Sequence, residues 1–240
     1  MGTTDGPCTL PPDRVEDESK AIADDQAYLL KLLGQYFPHL GITEEDVLSH
    51  TIGIRPLVRP DRGSQAGESK SLQKVSREHT IDEGPGGAVI VAGGKYTTFR
   101  RMAEEIVDFA TRGMPKIEPL TETALFVPAM PSQIQRAREV ARARGYAIPE
   151  KLFERYGSDA LEIYQIHVSE CDPDTNDPEG FPLLEAQFRY AVRHQMVLNV
   201  EDFVRRRQPL HLCRKDHGAP WVPLLEKALR SELARTWEAE

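Results

Sequence analysis

The segment Ala88-Val-Ile-Val-Ala-Gly-Gly-Lys-Tyr-Thr-Thr-Phe-Arg-Arg-Met-Ala-Glu-Glu-Ile-Val-Asp108 decides how this chain is interpreted. Its first five residues, Ala88 to Ala92, are small or β-branched, which predicts a short strand covered on both faces. From Phe99 onward apolar residues recur at helical spacing, which predicts an amphipathic helix. Between these two elements, Gly93 and Gly94 carry no β-carbon and leave the backbone open to close approach by a ligand.

The turn between strand and helix has the character of an anion site. Thr97 and Thr98 are placed to cap the helix, whose free N–H groups and positive dipole end face the turn. Lys95 adds a full positive charge at the same position. The segment therefore predicts a site for an anion or an electron-rich ring edge. A structural turn that binds nothing is the alternative, and this segment alone leaves it open.

Composition indicates an ordinary soluble protein of one large domain or two small ones, with 240 residues, 40% of them hydrophobic and 28% charged. The net charge of −8 is spread over both halves, which argues against nucleic-acid binding. No apolar run approaches the roughly 20 residues that span a bilayer, and no signal-peptide core is present. The expected location is the cytoplasm, with peripheral contact to the inner face of the cell membrane left open.

The three cysteines, Cys8, Cys171 and Cys213, are odd in number and far apart, which argues against a disulfide framework. His211 and His217 flank Cys213, but their spacing fits no standard zinc pattern. The sequence therefore predicts no metal site.

Periodicity and turn residues divide the chain into an α/β piece and a helical domain, with the boundary at residues 117 and 118. Ser132 is expected to cap one helix and Gly145 to end it. The predicted strands cover 49–58, 79–82 and 88–92, and a Gly-Pro-Gly-Gly turn joins the last two. The predicted helices cover 24–37, a short helix opened by a capping box at 43–46, 99–110, 132–144, 149–156, 158–167, 184–203 and 221–237.

Three cations lie at or beside predicted strands: Arg55, Arg77 and Lys95. Two guanidinium groups and one ammonium group meeting in one cleft would bind a phosphate dianion, the arginines through paired hydrogen bonds. The alternative is that each is a surface charge or a structural ion pair.

Two histidines, His79 and His194, are candidates for a general base, although packing or surface roles are commoner for such positions. The run Arg205-Arg-Arg207 lies at a predicted helix C-terminus, where the helix dipole favours positive charge. A patch for anionic lipid is the more specific alternative for this run.

A set of short motifs, in this order along nearly the whole chain, closely resembles the C-terminal half of FAD-dependent (respiratory, quinone-linked) glycerol-3-phosphate dehydrogenase. No single motif is decisive, and the ordered set carries the resemblance. The motifs cover residues 2–5, 28–30, 36–38, 53–57, 76–79, 93–100, 156–158 and 185–194.

The resemblance implies a role for each candidate residue. Arg55 and Arg77 match positions that hold the substrate phosphate, and Lys95 matches a catalytic lysine between substrate and flavin. The turn that meets the flavin ring corresponds to Gly93, Gly94, Lys95, Tyr96 and Thr97. The implied reaction oxidises sn-glycerol 3-phosphate to dihydroxyacetone phosphate through FAD, with a quinone as electron acceptor.

The resemblance also implies an α+β fold. Residues 1–117 would form the C-terminal portion of an FAD- and substrate-binding oxidoreductase domain, with a mixed sheet and the strand–Gly-Gly-Lys–helix unit. Residues 118–240 would form the family's all-α C-terminal domain.

The chain lacks a G-x-G-x-x-G fingerprint after an N-terminal strand, so the dinucleotide-binding unit of the family is missing. The chain is therefore expected to be incomplete alone, and to need an N-terminal FAD-binding chain or to form a homo-oligomer. A non-catalytic module that pairs with another flavoprotein chain through an exposed apolar face is the alternative. An oxidase or dehydrogenase acting on a related small substrate is a third.

Overall fold

A computed structural model describes Thr4 and residues 19–54, 78–123, 130–173 and 177–238. The chain divides into two compact units. Unit 1 comprises Met1–Glu44 and Thr51–Ala124, and unit 2 comprises Glu45–His50 and Leu125–Glu240. The domain boundary predicted at residues 117 and 118 stays a prediction.

Unit 1 contains a long helix, a strand pair and a second helix. Helix α1 spans Ser19–Tyr36. Strands β1 (Thr80–Glu83) and β2 (Val89–Ala92) pair antiparallel, with Thr80 opposite Ala92 and Glu83 opposite Val89. A short 3₁₀ turn links the two strands, and a second one, Tyr96–Thr98, leads into helix α2, Phe99–Ala110. The predicted order of strand, turn and amphipathic helix is therefore confirmed.

Unit 2 is helical in its described residues, as the sequence predicts. The α-helices of its described residues are α3 (Pro131–Ala143), α4 (Glu150–Tyr156), α5 (Ala160–Glu170), α6 (Leu184–His194), α7 (Leu210–Cys213) and α8 (Val222–Glu238). A π-helical segment, Asp202–Arg207, lies between α6 and α7. The end of α3 is a Schellman motif, because Gly145 has φ +69° and its amide donates to the Arg142 carbonyl while Tyr146 bonds to Ala141.

The fully buried residues of the described chain all belong to unit 2, which has two adjoining apolar clusters. One is built around Phe188 and Phe203, whose rings meet edge to face at 5.1 Å. The other surrounds Leu152 and Ile163 at the meeting of α4, α5 and α6. No described residue of unit 1 is fully buried.

Several local predictions were wrong. The described residues 49–54 of the predicted strand 49–58 contain no strand. Ser132 does not cap α3, which begins with Pro131 at its first position and has no side-chain cap. Strand β2 is not covered on both faces, since Ile90 is 49% exposed. Among the described residues β2 has one strand neighbour, and the mixed sheet stays a prediction.

The predicted helix 184–203 is broken after His194. Met196 has a left-handed backbone with φ +54°, which a continuous helix does not allow. A new helical segment then starts from Asn199, whose side-chain oxygen accepts the Asp202 amide at 2.8 Å, while the Asp202 carboxylate accepts the Leu198 amide. Apolar spacing continues through this break, which is why periodicity alone missed it.

Candidate functional site

The turn between β2 and α2 has a backbone that glycine adopts readily and other residues do not. Gly93 has φ +78° and Gly94 has φ +113°. A β-carbon is strained at both angles. Lys95 returns to an extended backbone, with φ −123° and ψ 133°. The two glycines therefore fix the path by which the chain leaves the sheet and enters α2.

Gly94 also packs closely against side chains of its own unit. A β-carbon on Gly94 would lie 2.6 Å from the sulfur of Met102 on α2 and 3.7 Å from Cβ of His79. The missing β-carbon therefore makes room for Met102. This gives Gly94 a packing role, while its role beside a ligand stays a prediction.

Lys95 is exposed, and its ammonium has no ion-pair partner among the residues that the structure describes. Its backbone carbonyl, by contrast, accepts two hydrogen bonds from Thr98, one from the amide and one from the hydroxyl, each 3.1 Å long. The carbonyl is thereby fixed while the charged end of the side chain stays available to a ligand.

The threonines do not cap the helix as predicted. Neither the 3₁₀ turn nor α2 has a side-chain cap, because the Thr98 hydroxyl donates to the Lys95 carbonyl instead. The first N–H groups of a helical segment have no partner within the helix. At this turn they are left without a side-chain acceptor, as an anion-binding helix start requires.

The other charges near the start of α2 neutralise one another. Arg100 and Arg101 both bond to Glu104, at 2.8 and 2.5 Å. The hydrogen bond from Arg100 lowers the pKa of Glu104 below its usual value, against the opposing effect of burial. Glu105 bonds to Arg101 at 2.9 Å and to Nε2 of His79 at 2.9 Å. Lys95 is therefore the cation of this network that stays free within the described chain.

Apolar side chains surround the turn and face outward. The rings of Tyr96 and Phe99 stack at 5.8 Å, with 89% and 56% of each residue exposed. Ile90 on β2 and Val107 on α2 are also exposed. Unit 1 therefore exposes several large apolar side chains near the turn.

Of the three predicted phosphate-binding cations, Lys95 is described. Arg55 and Arg77 lie outside the described residues. The convergence of the three on one phosphate therefore stays a prediction.

The two candidate bases are both held by carboxylates. His79 contacts Glu105, as described above, and Nε2 of His194 lies 2.8 Å from Glu162 while its ring packs at 4.7 Å from that of Tyr190. Both side chains therefore have structural contacts that explain them without a catalytic role.

Each of the three arginines in the basic run 205–207 has a partner in the same unit. Arg205 pairs with Glu201 at 3.0 Å, Arg206 pairs with Asp202 at 2.7 Å, and Arg207 donates to the Gln195 carbonyl at 2.7 Å. These contacts favour the interpretation of the run as local helix charge over a lipid patch.

Sequence reasoning missed a buried ionic cluster in unit 2. Arg189 bonds to Glu185 and Glu232, each at 2.8 Å, and Arg193 bonds to Glu232 at 2.6 Å and to Glu170 at 2.5 Å. Arg189 is 9% exposed and Glu232 is 5% exposed. The i,i+4 spacing of Glu185 and Arg189 was the available signal, but such pairs usually lie on solvated helix faces.

The described residues contain no group of three or more side chains suited to hold a metal ion. His211 and His217 stack on each other at 4.3 Å, and Nδ1 of His217 lies 2.8 Å from the His211 carbonyl. Within the same part of the chain, no helix has both the length and the apolar character needed to cross a membrane.

Comparison with known proteins identifies a relative of the helical part of the chain. Residues 127–240, which make up most of unit 2, match the family model for the C-terminal domain of alpha-glycerophosphate oxidase.

The longer similarity is to glycerol-3-phosphate dehydrogenases, and the predicted resemblance to the C-terminal part of this family is confirmed. Glycerol-3-phosphate dehydrogenase 1 of Mycobacterium bovis and of Mycobacterium tuberculosis is 32% identical over 185 residues, which cover 72% of this chain and 32% of each relative. The aerobic glycerol-3-phosphate dehydrogenase of Staphylococcus aureus is 28% identical over 214 residues, covering 81% of this chain and 36% of the relative. The chain thus spans about a third of the length of the curated relatives it matches.

Proposed function

We propose that this chain forms part of an FAD-dependent dehydrogenase that oxidises sn-glycerol 3-phosphate to dihydroxyacetone phosphate and passes the electrons to a quinone. Residues 1–117 would contribute to the FAD- and substrate-binding domain, and residues 118–240 would form its helical C-terminal domain. The observation that carries the proposal is the turn at Gly93–Lys95, with two positive φ angles and a lysine whose ammonium has no ion-pair partner among the described residues.

The residues at this turn fit the pyrimidine edge of a flavin. FAD, when bound, supplies a hydride acceptor for the carbinol carbon of the substrate. The ammonium of Lys95 and the uncapped N–H groups that follow it would stabilise negative charge at that edge. Because Arg100 and Arg101 are neutralised by glutamates, Lys95 is the described residue of the turn with positive charge to contribute.

The substrate phosphate would be bound by Arg55 and Arg77, with Lys95 between the phosphate and the reacting carbon. Guanidinium groups suit a phosphate dianion because each presents paired N–H donors. A phosphorylated substrate is therefore favoured over an unphosphorylated one.

The state of unit 1 supports a need for further protein around it. An amphipathic helix and a strand normally gain stability by burying their apolar faces. In unit 1, Ile90, Phe99 and Val107 stay exposed, and no described residue is fully buried. We therefore propose that the active enzyme joins this chain to a segment that carries the dinucleotide-binding unit.

The test compares the purified chain with a joined protein. In the joined protein, the portion of the Staphylococcus aureus relative that precedes the matched region is fused in front of this chain. We expect the joined protein to retain FAD through gel filtration, and its flavin absorbance to be bleached anaerobically by sn-glycerol 3-phosphate. The chain alone should retain little FAD.

The exposed apolar surface also favours a second candidate, a non-catalytic module that pairs with a separate flavoprotein. The same samples distinguish the two. A joined protein that binds FAD and is not reduced by sn-glycerol 3-phosphate would contradict the dehydrogenase and favour the module. Flavin bound and bleached by the chain alone would contradict the need for a further segment.

A further inference from the structure

A cavity of about 360 Å³ opens on unit 2, and its lining includes none of the residues assigned to the flavin and substrate. Helix α4 forms one wall through Lys151 and Arg155, and the loop at Gly180 and Pro182 forms another. The side chain of Gln187, which is 1% exposed, contributes to the lining from α6. This volume lies at the small end of the range for ligand sites.

A closed set of hydrogen bonds supports the floor of the cavity. The Tyr156 hydroxyl donates to the Gln187 side-chain oxygen at 2.8 Å and accepts from the Gln208 amide group at 2.6 Å. Gln208 also donates to Gln187, and Gln187 in turn donates to the Pro182 carbonyl at 2.6 Å. Burial raises the pKa of Tyr156 to about 12, so its hydroxyl stays protonated as this set requires.

This set of side chains also positions Arg155. One guanidinium N–H group donates to the side-chain oxygen of Gln208, and the guanidinium carbon lies 5.3 Å from the centre of the Phe181 ring. Arginine has five N–H donors, so most of them remain for a ligand. Arg155 is thereby held in one orientation at the cavity before any ligand arrives, which reduces the entropic cost of binding.

The charges at the cavity favour an anion. Lys151 lies one helical turn before Arg155 on the same face of α4, and neither has a carboxylate partner among the described residues. Glu154 also belongs to the lining and gives it a net charge of one positive unit. Its carboxylate repels an anionic ligand, so removing this negative charge should strengthen binding.

We propose that this cavity binds the phosphate group of a small soluble molecule through Lys151 and Arg155. Arginine forms paired hydrogen bonds to phosphate, and lysine adds a point charge. The proposal does not depend on the proposed dehydrogenase activity, because it involves none of the residues assigned to that reaction.

The test is an amide NMR titration of the full isotopically labelled chain with inorganic phosphate at constant ionic strength. We expect saturable shifts at Gly180 and Gln187. Lys151→Gln and Arg155→Gln should each weaken binding about tenfold, the scale of one charged hydrogen bond. Glu154→Gln should tighten it. Since Arg155→Gln also removes a contact to Gln208, Lys151→Gln is the variant that separates binding from folding.

Two control variants test whether phosphate binds at this cavity. Arg142→Gln removes an exposed arginine from α3 and should leave the affinity unchanged. Lys95→Gln should also leave shifts at the cavity unchanged, which separates this site from the proposed substrate site. Absence of saturable shifts, or equal weakening by Arg142→Gln and Lys151→Gln, would overturn the proposal.

A lipid headgroup is the other source of a phosphate group. Sedimentation of the chain with phosphatidylglycerol vesicles distinguishes the two sources. We expect that any sedimentation of the chain with these vesicles does not depend on Lys151. Vesicle binding lost in Lys151→Gln, together with no response to inorganic phosphate, would overturn the assignment to a soluble molecule.

Discussion

The sulfur of Met102 lies only 2.6 Å from the position that a β-carbon on Gly94 would take. The first turn of α2 and the glycine turn are therefore built against each other. Lys95, whose ammonium has no ion-pair partner in the described chain, follows Gly94 directly. The packing of Met102 from α2 therefore depends on the glycine at position 94 of the candidate site.

Gly94→Ala should destabilise the chain by about 2 kcal/mol, because alanine is strained at φ +113° and its methyl group meets Met102. Urea unfolding followed by circular dichroism measures the change. Gly113→Ala is the matched control, since a β-carbon there meets nothing within 4 Å. Equal stability of Gly94→Ala and the unmodified chain would contradict the described packing.

Met102→Ala combined with Gly94→Ala separates the two causes. The steric part of the cost should disappear in the double variant, while the cost of the positive φ angle should remain. Purely additive effects in the double-mutant cycle would show that the methyl group and the sulfur do not meet.

Glu232→Gln should cost about 3 kcal/mol, because it leaves the charges of Arg189 and Arg193 without their shared carboxylate in a largely buried setting. Glu226→Gln is the control, since its pair with Arg230 is exposed and 3.9 Å long. An exposed pair of this kind contributes less than about 1 kcal/mol. The free energy of unfolding from urea titration should therefore fall far more for Glu232→Gln, and similar losses would contradict the cluster.

The same cluster predicts a loss of stability in acid. Hydrogen bonds from Arg193 lower the pKa of Glu170. Burial raises the pKa of Glu232, but hydrogen bonds from Arg193 and Arg189 together outweigh it, so the pKa of Glu232 is also lowered. Both carboxylates therefore stabilise the fold above the ordinary glutamate pKa of about 4.3, and this contribution is lost as the pH falls through their lowered values. Unfolding free energies measured from about pH 6 to about pH 3 should decline less steeply for Glu232→Gln than for the unmodified chain. Identical slopes would count against the assignment.

The two described cysteines should differ in reactivity. Burial, with a contribution from the Glu185 carboxylate, raises the pKa of the Cys171 thiol to about 12, whereas Cys213 is exposed. Since the thiolate is the reactive form, Cys171 should react slowly with an aromatic disulfide reagent. In a Cys8→Ser background, the fast phase should disappear with Cys213→Ala and persist with Cys171→Ala. A fast phase that depends on Cys171 would show that its side chain is accessible.

Arg55→Ala in the joined protein should raise the KM for sn-glycerol 3-phosphate about thirtyfold, equivalent to about 2 kcal/mol of lost charged hydrogen bonding. Arg142→Ala, which removes an exposed arginine of unit 2, should leave KM unchanged. Steady-state kinetics with a quinone analogue supply the comparison. An unchanged KM in Arg55→Ala would remove this residue from the proposed phosphate site.

The elements that local sequence determines could be predicted, and those set by tertiary contacts could not. The apolar run before Gly93 and the helical spacing after Phe99 correctly predicted β2 and α2. The exposure of β2 was missed, because apolar composition does not reveal what lies beside a strand. The break at Met196 was missed because apolar spacing continues through it, although Asn199 and Asp202 carry a capping pattern.

In the candidate site, too, local sequence predicted some features, while tertiary contacts set others. Glycines at 93 and 94 predicted a special turn, and both have positive φ angles. That Gly94 makes room for Met102 depends on how α2 packs, which spacing does not reveal. The partners of Arg189 come from two different helices, so the burial of this arginine was equally hidden from the sequence.

The role of Lys95 is tested most directly by the rate of flavin reduction in the joined protein, measured by anaerobic stopped-flow absorbance with sn-glycerol 3-phosphate. Lys95→Ala is compared with Lys227→Ala, which removes an exposed lysine of α8. We predict that the flavin is bleached in the unmodified protein, at least tenfold more slowly in Lys95→Ala, and at the unmodified rate in Lys227→Ala. An unmodified rate in Lys95→Ala would contradict the placement of this turn at the flavin and the substrate.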